Sequence, residues 1–378
     1  MMITCDKLLC PQGWLENQSV TVKNGFIVAI ETINPHSASA HHHPIIAPGF
    51  IDIQVNGGGG VLFNQQPNSG ALQHMFSAHQ AFGTTAMLPT LITDGVETMQ
   101  QAADAVIQAR TLGTPGIIGV HFEGPWLSKA RKGVHPEEHI RQPSEQELQV
   151  LRQSNLGRVM VTLAPEQVAP VIIKEMVDDG IIVFLGHSAA DAKQVSRALQ
   201  AGASGFTHLF NAMSPMQSRA PGMVGAALQS PTSYAGLIVD GFHVDPMCCQ
   251  VALRCLGRDR VALVTDAMAL AASEESEMAF FDTTIHKKNN CLTTPDGTLA
   301  GSCLTMIDAV RNTMQQCQVS LQDALFMAST TPAYAAGVGD KQGSIEVGMA
   351  ADFVALDNNV HIRQVYQAGT ATQPILQE

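Results

Sequence analysis

The 378-residue sequence predicts a parallel (β/α)8 barrel of the TIM type, accompanied by a small β-sandwich domain built from both chain ends. Three observations lead to this prediction. Eight β-rich runs alternate with helical runs between residues 50 and 266. Further β-rich segments lie before and after this alternation, at the two ends of the chain. Histidines and carboxylates stand at the ends of several runs, where barrel enzymes place their chemistry.

The elements of the barrel follow from local composition. Strands are predicted at 50–54, 84–91, 116–123, 158–164, 181–187, 205–210, 234–243 and 261–266. Helical patterns lie near 70–82, 95–112, 144–154, 170–179, 189–201 and 245–256, and two more lie near 303–317 and 320–336. A doubly wound open sheet is the alternative, but no strand is followed by a GxGxxG fingerprint. The run Gly57–Gly60 lacks a P-loop Lys-Ser/Thr and is interpreted as a flexible turn.

The chain ends predict the second domain. Residues 19–30 form two β-rich runs joined at Asn24-Gly25, a strong hairpin signal, and residues 343–357 are again β-like. We therefore predict a small β domain of residues 1–47 plus 340–378 around a barrel of residues 48–339. A metal site is one interpretation of the run His41-His42-His43, but its place in a polar loop before Pro44 favours a solvated loop. Segments 273–278 and 290–301 are polar and turn-rich, which would suit a lid or crossover.

Composition indicates which binding partners and which cellular location to expect. The formal net charge is −12, from 21 Lys+Arg and 33 Asp+Glu, and there is no basic block. We therefore expect no nucleic-acid partner and no membrane partner. The eight cysteines show no CxxC spacing, which favours reduced thiols. No leader-like start and no long apolar stretch stand out, so the expected location is cytoplasmic.

One strand–helix–strand unit carries two histidines. A β-rich run ends at His187 and a second short one carries His208, with a helical run between them, for which Ser188 is the predicted N-cap and Gly202 the predicted stop. Neighbouring parallel strands end at the same edge, so the two side chains could share one ligand. Taken alone, either histidine could instead be a structural residue held by hydrogen bonds. Their equivalent positions favour a metal or catalytic role.

Further polar residues complete a candidate metal centre. Glu123, His187 and His208 form a two-histidine, one-carboxylate set, which leaves positions open for water, as in catalytic zinc or iron sites. A bound metal can lower the pKa of its water to roughly 7. Asp266, at the end of an apolar run, is placed to take and return a proton, although an N-cap role is the alternative.

Two loops offer weaker signals. The loop 131–135 supplies a movable polar group, or else it is a solvated surface loop. Residues 211–215 together with Arg219 offer backbone N–H groups and a guanidinium suited to an anionic group, although an exposed arginine near Gly and Pro is common.

The motifs resemble a known family. Pro-Gly-Phe-Ile-Asp at 48–52 and Gly-Ser-Ile-Glu-Val-Gly-Met-Ala-Ala-Asp at 343–352 are similar to the amidohydrolase superfamily. Six further motifs resemble the N-acetylglucosamine-6-phosphate deacetylase family within this superfamily. They are His-Phe-Glu-Gly-Pro at 121–125, Gly-His-Ser at 186–188, Thr-His-Leu-Phe-Asn-Ala-Met at 207–213, Asp-Gly-Phe-His at 240–243, Thr-Asp-Ala at 265–267 and Leu-Ala-Gly-Ser-Cys-Leu-Thr-Met at 299–306. The resemblance covers essentially the whole chain.

The resemblance implies a metal-dependent deacetylation of a small sugar phosphate. It implies that Glu123, His187 and His208 hold one divalent metal per subunit, zinc or ferrous iron, and that Asp266 is general base and then acid. It implies that His135, with Val134 beside it, contacts substrate at the acetamido end. It implies that the phosphate end of the substrate is bound by Asn211, Ala212, Arg219 and His243. It implies that the sugar is lined by Ala300, Gly301 and Ser302. It also implies a homodimer with the phosphate site near the subunit interface.

Departures from the family pattern leave alternatives open. The superfamily's first-strand His-x-His is replaced by Gln54 and Asn56, which argues for a mononuclear site. Segment 267–282 matches the family less well, so the sugar could be the galacto epimer. A cyclic-amide hydrolase such as a dihydroorotase fits less well, because those usually carry His-x-His and a bridging lysine. A non-catalytic binding barrel is the alternative from another class, disfavoured because the ligand residues and Asp266 are all present.

Overall fold

The structure is a computed structural model that describes residues 1–34 and 41–372. The strands of the described residues, in chain order, are β1 (Met2–Cys10), β2 (Gly13–Lys23), β3 (Phe26–Thr32), β4 (His42–Pro48), β5 (Phe50–Val55), β6 (Gly57–Gly58), β7 (Val61–Leu62), β8 (Thr84–Ile92), β9 (Gly119–Glu123), β10 (Arg158–Leu163), β11 (Ile182–Leu185), β12 (Gly205–Phe206), β13 (Tyr234–Leu237), β14 (Val261–Leu263), β15 (Glu277–Phe280), β16 (Thr283–Lys288), β17 (Cys291–Thr293), β18 (Phe353–Leu356), β19 (Ile362–Gln367) and β20 (Thr370–Ala371).

The α-helices of the same residues lie between or after these strands. They are α1 (Ser69–Gln80), α2 (Val96–Thr111), α3 (Glu145–Leu151), α4 (Pro170–Asp178), α5 (Ala192–Gln200), α6 (Gly222–Gln229), α7 (Pro246–Leu256), α8 (Met306–Cys317), α9 (Leu321–Ala328) and α10 (Thr330–Ala335). In the part of the chain that the structure describes, none of them has both the length and the apolar character needed to cross a bilayer.

Eight parallel strands form the barrel, in the order β14-β13-β12-β11-β10-β9-β8-β5. Helices cover the outside and side chains fill the inside, so both faces of the strands are buried. This is why strands such as β8 are buried throughout their length instead of alternating. The predicted (β/α)8 fold is confirmed.

The barrel closes between its first and last strands through a seam of individual contacts. Around the C-terminal ends of β5 and β14, the Asp266 N–H donates to the Gln54 carbonyl at 3.0 Å and the Asn56 N–H donates to the Ala267 carbonyl at 2.9 Å. Across the same seam the buried Asp52 carboxylate accepts the Thr265 hydroxyl at 2.5 Å and the Thr265 N–H at 3.3 Å. A side chain from the first strand therefore holds the residue next to Asp266.

A second sheet is built from both chain ends, in the order β20-β19-β18-β4-β1-β2-β3. Asn24 and Gly25, both with positive φ, turn β2 into β3, so the predicted hairpin is confirmed. The sheet has its own buried cluster, which includes Ile3, Leu8 and Phe353. The domain limits 1–47 plus 340–378 and 48–339 stay a prediction, and residues 35–40 and 373–378 lie outside the described residues.

The structure corrects three local predictions. Helix α5 is capped by Asp191, whose carboxylate accepts the N–H groups of Lys193 and Gln194. Ser188, the predicted cap, instead donates its hydroxyl to Glu166 at 2.6 Å. Helix α6 was absent from the prediction because its sequence is rich in Gly and Ala and is largely buried, so it has no polar face. The stretch after Asp266, whose polar, turn-rich segments were predicted to suit a lid or crossover and for which no strand was predicted, contains the three-stranded sheet β15–β16–β17.

Candidate metal-binding active site

Three buried side chains meet at the C-terminal end of the barrel. The Oε1 atom of Glu123 lies 3.1 Å from His187 Nε2 and 3.0 Å from His208 Nε2, and the two Nε2 atoms are 3.0 Å apart. All three residues are at most 6% exposed. The structure therefore brings together the three residues that the sequence proposed as metal ligands.

Backbone geometry aims these side chains. Glu123 is the last residue of β9, while His187 and His208 follow β11 and β12 with left-handed φ values of 45° and 32°. The Arg131 carbonyl lies 2.9 Å from His187 Nδ1, which must donate to it, so the neutral imidazole of His187 has its lone pair on Nε2, the nitrogen that faces Glu123. A carbonyl that fixes the tautomer in this way is typical of metal-bound histidines.

The electrostatics agree with a cation site. Burial opposes ionisation of Glu123, but hydrogen bonds and positive charge from His187 and His208 hold its pKa well below the usual value. The carboxylate is therefore the stable form. Two ligand atoms about 2.1 Å from one ion are about 3.0 Å apart at a right angle and about 3.4 Å apart at the tetrahedral angle, and the observed distances are close to this range. The donor set fits a divalent metal.

His135 lies beside this group. Its ring centroid is 4.4 Å from that of His187, and it offers a nitrogen within 4.8 Å of ligand atoms of both Glu123 and His187. Two overlapping ligand sets are thus possible, one completed by His208 and one by His135. The mutual 3.0–3.1 Å distances favour His208. Burial and the nearby His187 lower the pKa of His135 well below its usual value, so its imidazole is neutral.

Asp266 stands next to the ligands, just after β14, with φ of 50°. Its Oδ1 accepts the Asn56 amide at 2.7 Å and the Gln54 amide at 3.2 Å. Burial and the charge of Glu123 raise its pKa to about 6. Gln54 also donates to Glu123 Oε1 at 3.1 Å. The two residues that replace His-x-His therefore hold the carboxylates in place, a role that the sequence did not reveal.

One cavity of about 230 Å³ contains these groups. Its lining includes all three ligands and Asp266, together with six of the nine predicted substrate-contact residues: Val134, His135, Asn211, Ala212, His243 and Gly301. The buried Asp240 accepts the His243 Nδ1–H at 2.6 Å and orients that ring, a contact that the Asp-Gly-Phe-His motif already contained.

Three predicted substrate residues do not line this cavity. Ala300 is buried in an apolar cluster. Ser302 donates its hydroxyl to the Thr265 carbonyl at 2.5 Å and its N–H to the Asp266 carbonyl at 2.9 Å, so it supports the backbone of Asp266. Arg219 is exposed and lines a separate cavity of about 510 Å³ with Lys193. Their substrate contacts stay predictions.

The sequence reasoning also passed over two buried residues at the site. Thr93 contacts both His135 and the backbone of Glu123, and Asp52 holds Thr265. Asp52 lay inside the Pro-Gly-Phe-Ile-Asp motif, which was a usable signal. For Thr93, which follows β8, no sequence signal distinguished it from other strand-end threonines.

The fold and the site together define a class. A (β/α)8 barrel with a buried Glu-His-His group and an aspartate after its last strand has the parts of a metal-dependent hydrolase.

Comparison with known proteins agrees. The amidohydrolase family matches residues 45–376. The chain is 44% identical over 369 residues to an N-acetylgalactosamine-6-phosphate deacetylase of Shewanella sp. (strain ANA-3), covering 96% of this chain and 93% of the relative. It is 34% identical to an N-acetylglucosamine-6-phosphate deacetylase of Vibrio furnissii, with 96% and 92% covered. The chain belongs to the amidohydrolase family.

A solved structure extends the comparison to three dimensions. The N-acetylglucosamine-6-phosphate deacetylase of Pasteurella multocida superposes with a TM-score of 0.93 at 35% identity, covering 98% of this chain and 100% of that one. The predicted family resemblance is confirmed. Family membership and the buried ligand group together imply a divalent metal.

Proposed function

We propose that the protein hydrolyses the acetamide of N-acetyl-D-glucosamine 6-phosphate to D-glucosamine 6-phosphate and acetate, in amino-sugar catabolism. The observation that carries this proposal is the convergence of Glu123, His187, His208 and Asp266 in one cavity. The whole-length similarity to deacetylases of hexosamine 6-phosphates supports the reaction class. It is an amide hydrolysis, so the protein is an enzyme acting on a carbon–nitrogen bond.

Glu123, His187 and His208 would hold one divalent ion per chain, either zinc or ferrous iron. Such an ion supplies Lewis acidity, which lowers the pKa of a water and polarises a carbonyl. Gln54 and Asn56 donate their amide N–H groups to Glu123 and Asp266, and their amide oxygens are weak neutral ligands compared with two imidazoles. One tightly held ion per chain is therefore expected.

Asp266 is the proton carrier of this proposal. Both amide donors contact Oδ1, so Oδ2 is the oxygen that we assign to proton transfer. Its carboxylate form takes a proton from the attacking water and later delivers it to the departing amine. A pKa raised to about 6 by burial and by Glu123 keeps the carboxylate basic enough for this exchange near neutral pH.

The remaining cavity residues position the sugar. His135 and Val134 lie on the loop beside the ligands, where the acetamido group must sit to be attacked. Asn211, Ala212 and His243 line the same cavity and are assigned to the phosphate end, with Gly301 along the sugar. These contacts use remote binding energy to place the carbonyl.

Arg219 is assigned to the phosphate as part of a homodimer. Within one chain it lies outside the catalytic cavity, so the proposal requires the phosphate end to be near a subunit interface. Apolar side chains close in sequence to the residues assigned to this end are exposed: Met216 by 59%, Phe242 by 45% and Met247 by 72%. A second copy of the chain is the occupant that we assign to them. Light scattering coupled to gel filtration should give twice the chain mass, and a monomer would contradict the assignment.

A cytoplasmic location stays a prediction.

A second substrate has a specific observation in its favour. The relative from Shewanella, at 44% identity, is named for N-acetylgalactosamine 6-phosphate, whereas several relatives named for the gluco epimer are near 34%. The epimers differ at one hydroxyl. The galacto epimer is therefore the alternative substrate for the same chemistry.

Steady-state assays on both hexosamine 6-phosphates, with elemental analysis of the same samples, test the proposal. We expect acetate release, a higher kcat/KM on the gluco epimer and one metal equivalent per chain. A higher kcat/KM on the galacto epimer would select the alternative. No release from either sugar by metal-loaded protein, or two required metal equivalents, would refute the proposal.

Arg219→Ala tests the phosphate assignment. A charge-assisted contact is worth roughly 1.5–3 kcal/mol, so kcat/KM on the 6-phosphate should fall by about tenfold or more. Unphosphorylated N-acetylglucosamine should be little affected. Equal losses on both sugars, or no loss on either, would contradict a contact with phosphate.

A further inference from the structure

Glu166 is a carboxylate that the function proposed above does not use. It stands between β10 and α4, in a turn where the Gln167 N–H donates to the Ala164 carbonyl at 2.9 Å. Both of its oxygens contact the loop after β11. Oε2 accepts the Ser188 hydroxyl at 2.6 Å, and Oε1 accepts the Ala189 N–H at 2.7 Å. One carboxylate therefore holds the two residues that follow the candidate metal ligand His187.

The hydroxyl of Ser188 extends this contact along the loop. Ser188 is 0% exposed, and its oxygen accepts the Ala190 N–H at 3.0 Å. A serine hydroxyl donates one hydrogen and can accept at the same time, so the bonds to Glu166 and Ala190 are compatible. Asp191 already caps helix α5. The carboxylate of Glu166 therefore fixes the loop 188–190 and not the helix that follows it.

The same loop carries the residues assigned to the phosphate end. The Ser188 N–H donates to the Ala212 carbonyl at 2.9 Å, and the Ser214 N–H donates to the Ser188 carbonyl at 3.0 Å. The Ser214 hydroxyl also donates to the Ala190 carbonyl at 2.6 Å. A displacement of the loop 188–190 would thus move both the backbone next to His187 and the backbone of Ala212.

Both ends of this unit have backbone that needs support. His187 and Ala212 are left-handed, with φ of 45° and 50°. For residues other than glycine this conformation costs free energy and persists where surrounding contacts fix it. His187 has a further backbone contact, because its carbonyl accepts the Ser128 N–H at 2.9 Å. Loss of Glu166 should therefore weaken the arrangement and not abolish it.

We propose that Glu166 is a positioning residue that holds the metal ligand His187 and the phosphate-binding residue Ala212 in one fixed arrangement. The proposal rests on the function proposed above. A substrate that contacts the metal end through its acetamide and Ala212 through its phosphate needs both groups at the right separation. This separation decides whether the carbonyl is correctly placed for attack. Glu166 acts on it through Ser188 and Ala189.

The first test measures the metal end by zinc binding to the metal-free protein in competition with a chelator. Residues that support metal ligands typically contribute about 10–100-fold in affinity, and Glu166→Ala should show the lower end, about tenfold. Glu166→Gln keeps the side-chain length and one accepting oxygen, so its affinity should lie closer to wild type. Glu175→Ala removes an exposed carboxylate from α4 and is the matched control, with wild-type affinity expected.

The second test measures the phosphate end by kinetics at saturating zinc. In Glu166→Ala, kcat/KM should fall further on N-acetylglucosamine 6-phosphate than on N-acetylglucosamine, because only the first sugar uses the Ala212 amide. A neutral hydrogen bond is worth about threefold to tenfold, which sets the expected difference between the two losses. Glu175→Ala should leave both values unchanged. A role in global stability alone would not alter the ratio of the two sugars.

A double variant tests whether Glu166 acts through Ser188. Independent sites give additive losses, whereas residues that act through one contact do not. Ser188→Ala should weaken zinc binding in the same direction as Glu166→Ala. The double variant should then bind zinc within about twofold of Glu166→Ala alone.

Three results would overturn the proposal: wild-type zinc affinity in Glu166→Ala, equal kinetic losses on the two sugars, or additive losses in the double variant. If Glu166→Ala does not fold, Ser188→Ala decides by the same two measurements, and wild-type values in it would also overturn the proposal. A wild-type protein that deacetylates neither sugar phosphate would refute the proposed function. The zinc measurements would then still show whether Glu166 supports the metal end.

Discussion

The barrel mouth and the seven-stranded sheet both contain non-glycine residues in left-handed backbone, but they use them differently. In the sheet one of them makes a hairpin turn, namely Asn24 with φ of 53°. Asparagine adopts this conformation at little cost. At the mouth they include His187, His208 and Asp266, with φ between 32° and 50°. For most residues this conformation costs about 1–2 kcal/mol. The mouth accepts that cost because it aims functional side chains at one point.

Each region stabilises its left-handed backbone with a carboxylate. In the sheet, Asp352 accepts the N–H of Ala368, whose φ is 49°, and the amide of Gln367. At the mouth, Asp52 accepts two groups of Thr265, the residue before Asp266. Burial raises the pKa of Asp52 to about 7 and that of Asp352 to about 6. The same device thus supports a turn in one place and the candidate proton carrier in the other.

The largest expected effect is at the mouth. In Asp266→Asn the amide oxygen can still accept from Asn56 and Gln54, so fold and metal content should be kept. Loss of the proton carrier should lower kcat by about 10²–10⁴. Steady-state kinetics with metal analysis measures this. The exposed Asp259→Asn serves as control. A kcat within a few-fold of wild type would rule out Asp266 as the carrier.

Removing the supporting carboxylate of each region should have different effects on stability and on kcat. Asp52→Ala leaves buried donors on Thr265 and Gln54 without an acceptor and opens the barrel seam. Each unsatisfied buried donor costs about 1–3 kcal/mol, so we expect a loss of several kcal/mol and a lower kcat. Asp352→Ala should lower stability less and leave kcat unchanged. Denaturant unfolding and kinetics on both variants provide the comparison, and equal effects on kcat would contradict it.

The pH dependence of stability is expected to show the cost of Asp352. Its pKa is raised from 3.8 to about 6 in the folded protein. Protonated Asp352 therefore adds to the free energy of unfolding below the pKa that the residue has in the unfolded chain. This contribution, at most about 3 kcal/mol, is lost as the pH rises through 6. Asp352→Asn is neutral throughout. In denaturant unfolding, the free energy of unfolding of the variant should increase relative to that of wild type between pH 4 and 8. A difference that stays constant with pH would argue against a raised pKa.

The smallest effect is expected at the hairpin turn. Asn24→Gly places a residue that adopts positive φ freely where the turn already requires it. Stability should change by no more than about 0.5 kcal/mol, and kcat/KM should be unchanged. Thermal unfolding and the deacetylase assay measure both. A large loss of stability would mean that the Asn24 side chain contributes more than its backbone conformation.

Much of the architecture and the four central residues of the site, Glu123, His187, His208 and Asp266, followed from local sequence. The alternation of β-rich and helical runs is enough to predict the barrel, because strand and helix periods differ. His187 and His208 could be paired because a single strand–helix–strand unit brings their strand ends together. Glu123 and Asp266 were recognisable as polar residues ending apolar runs.

Tertiary structure alone decided the rest, because the deciding contacts join distant parts of the chain. Gln54 and Asn56 looked like weak metal ligands, and only the closed barrel shows their amides on Glu123 and Asp266. Ser188 lost the capping role to Asp191 because Glu166 holds its hydroxyl. The partners of Thr93 and Asp52 lie 42 and 213 residues away along the chain. A hydrogen bond depends on distance in space, and local sequence carries no information about pairs so far apart.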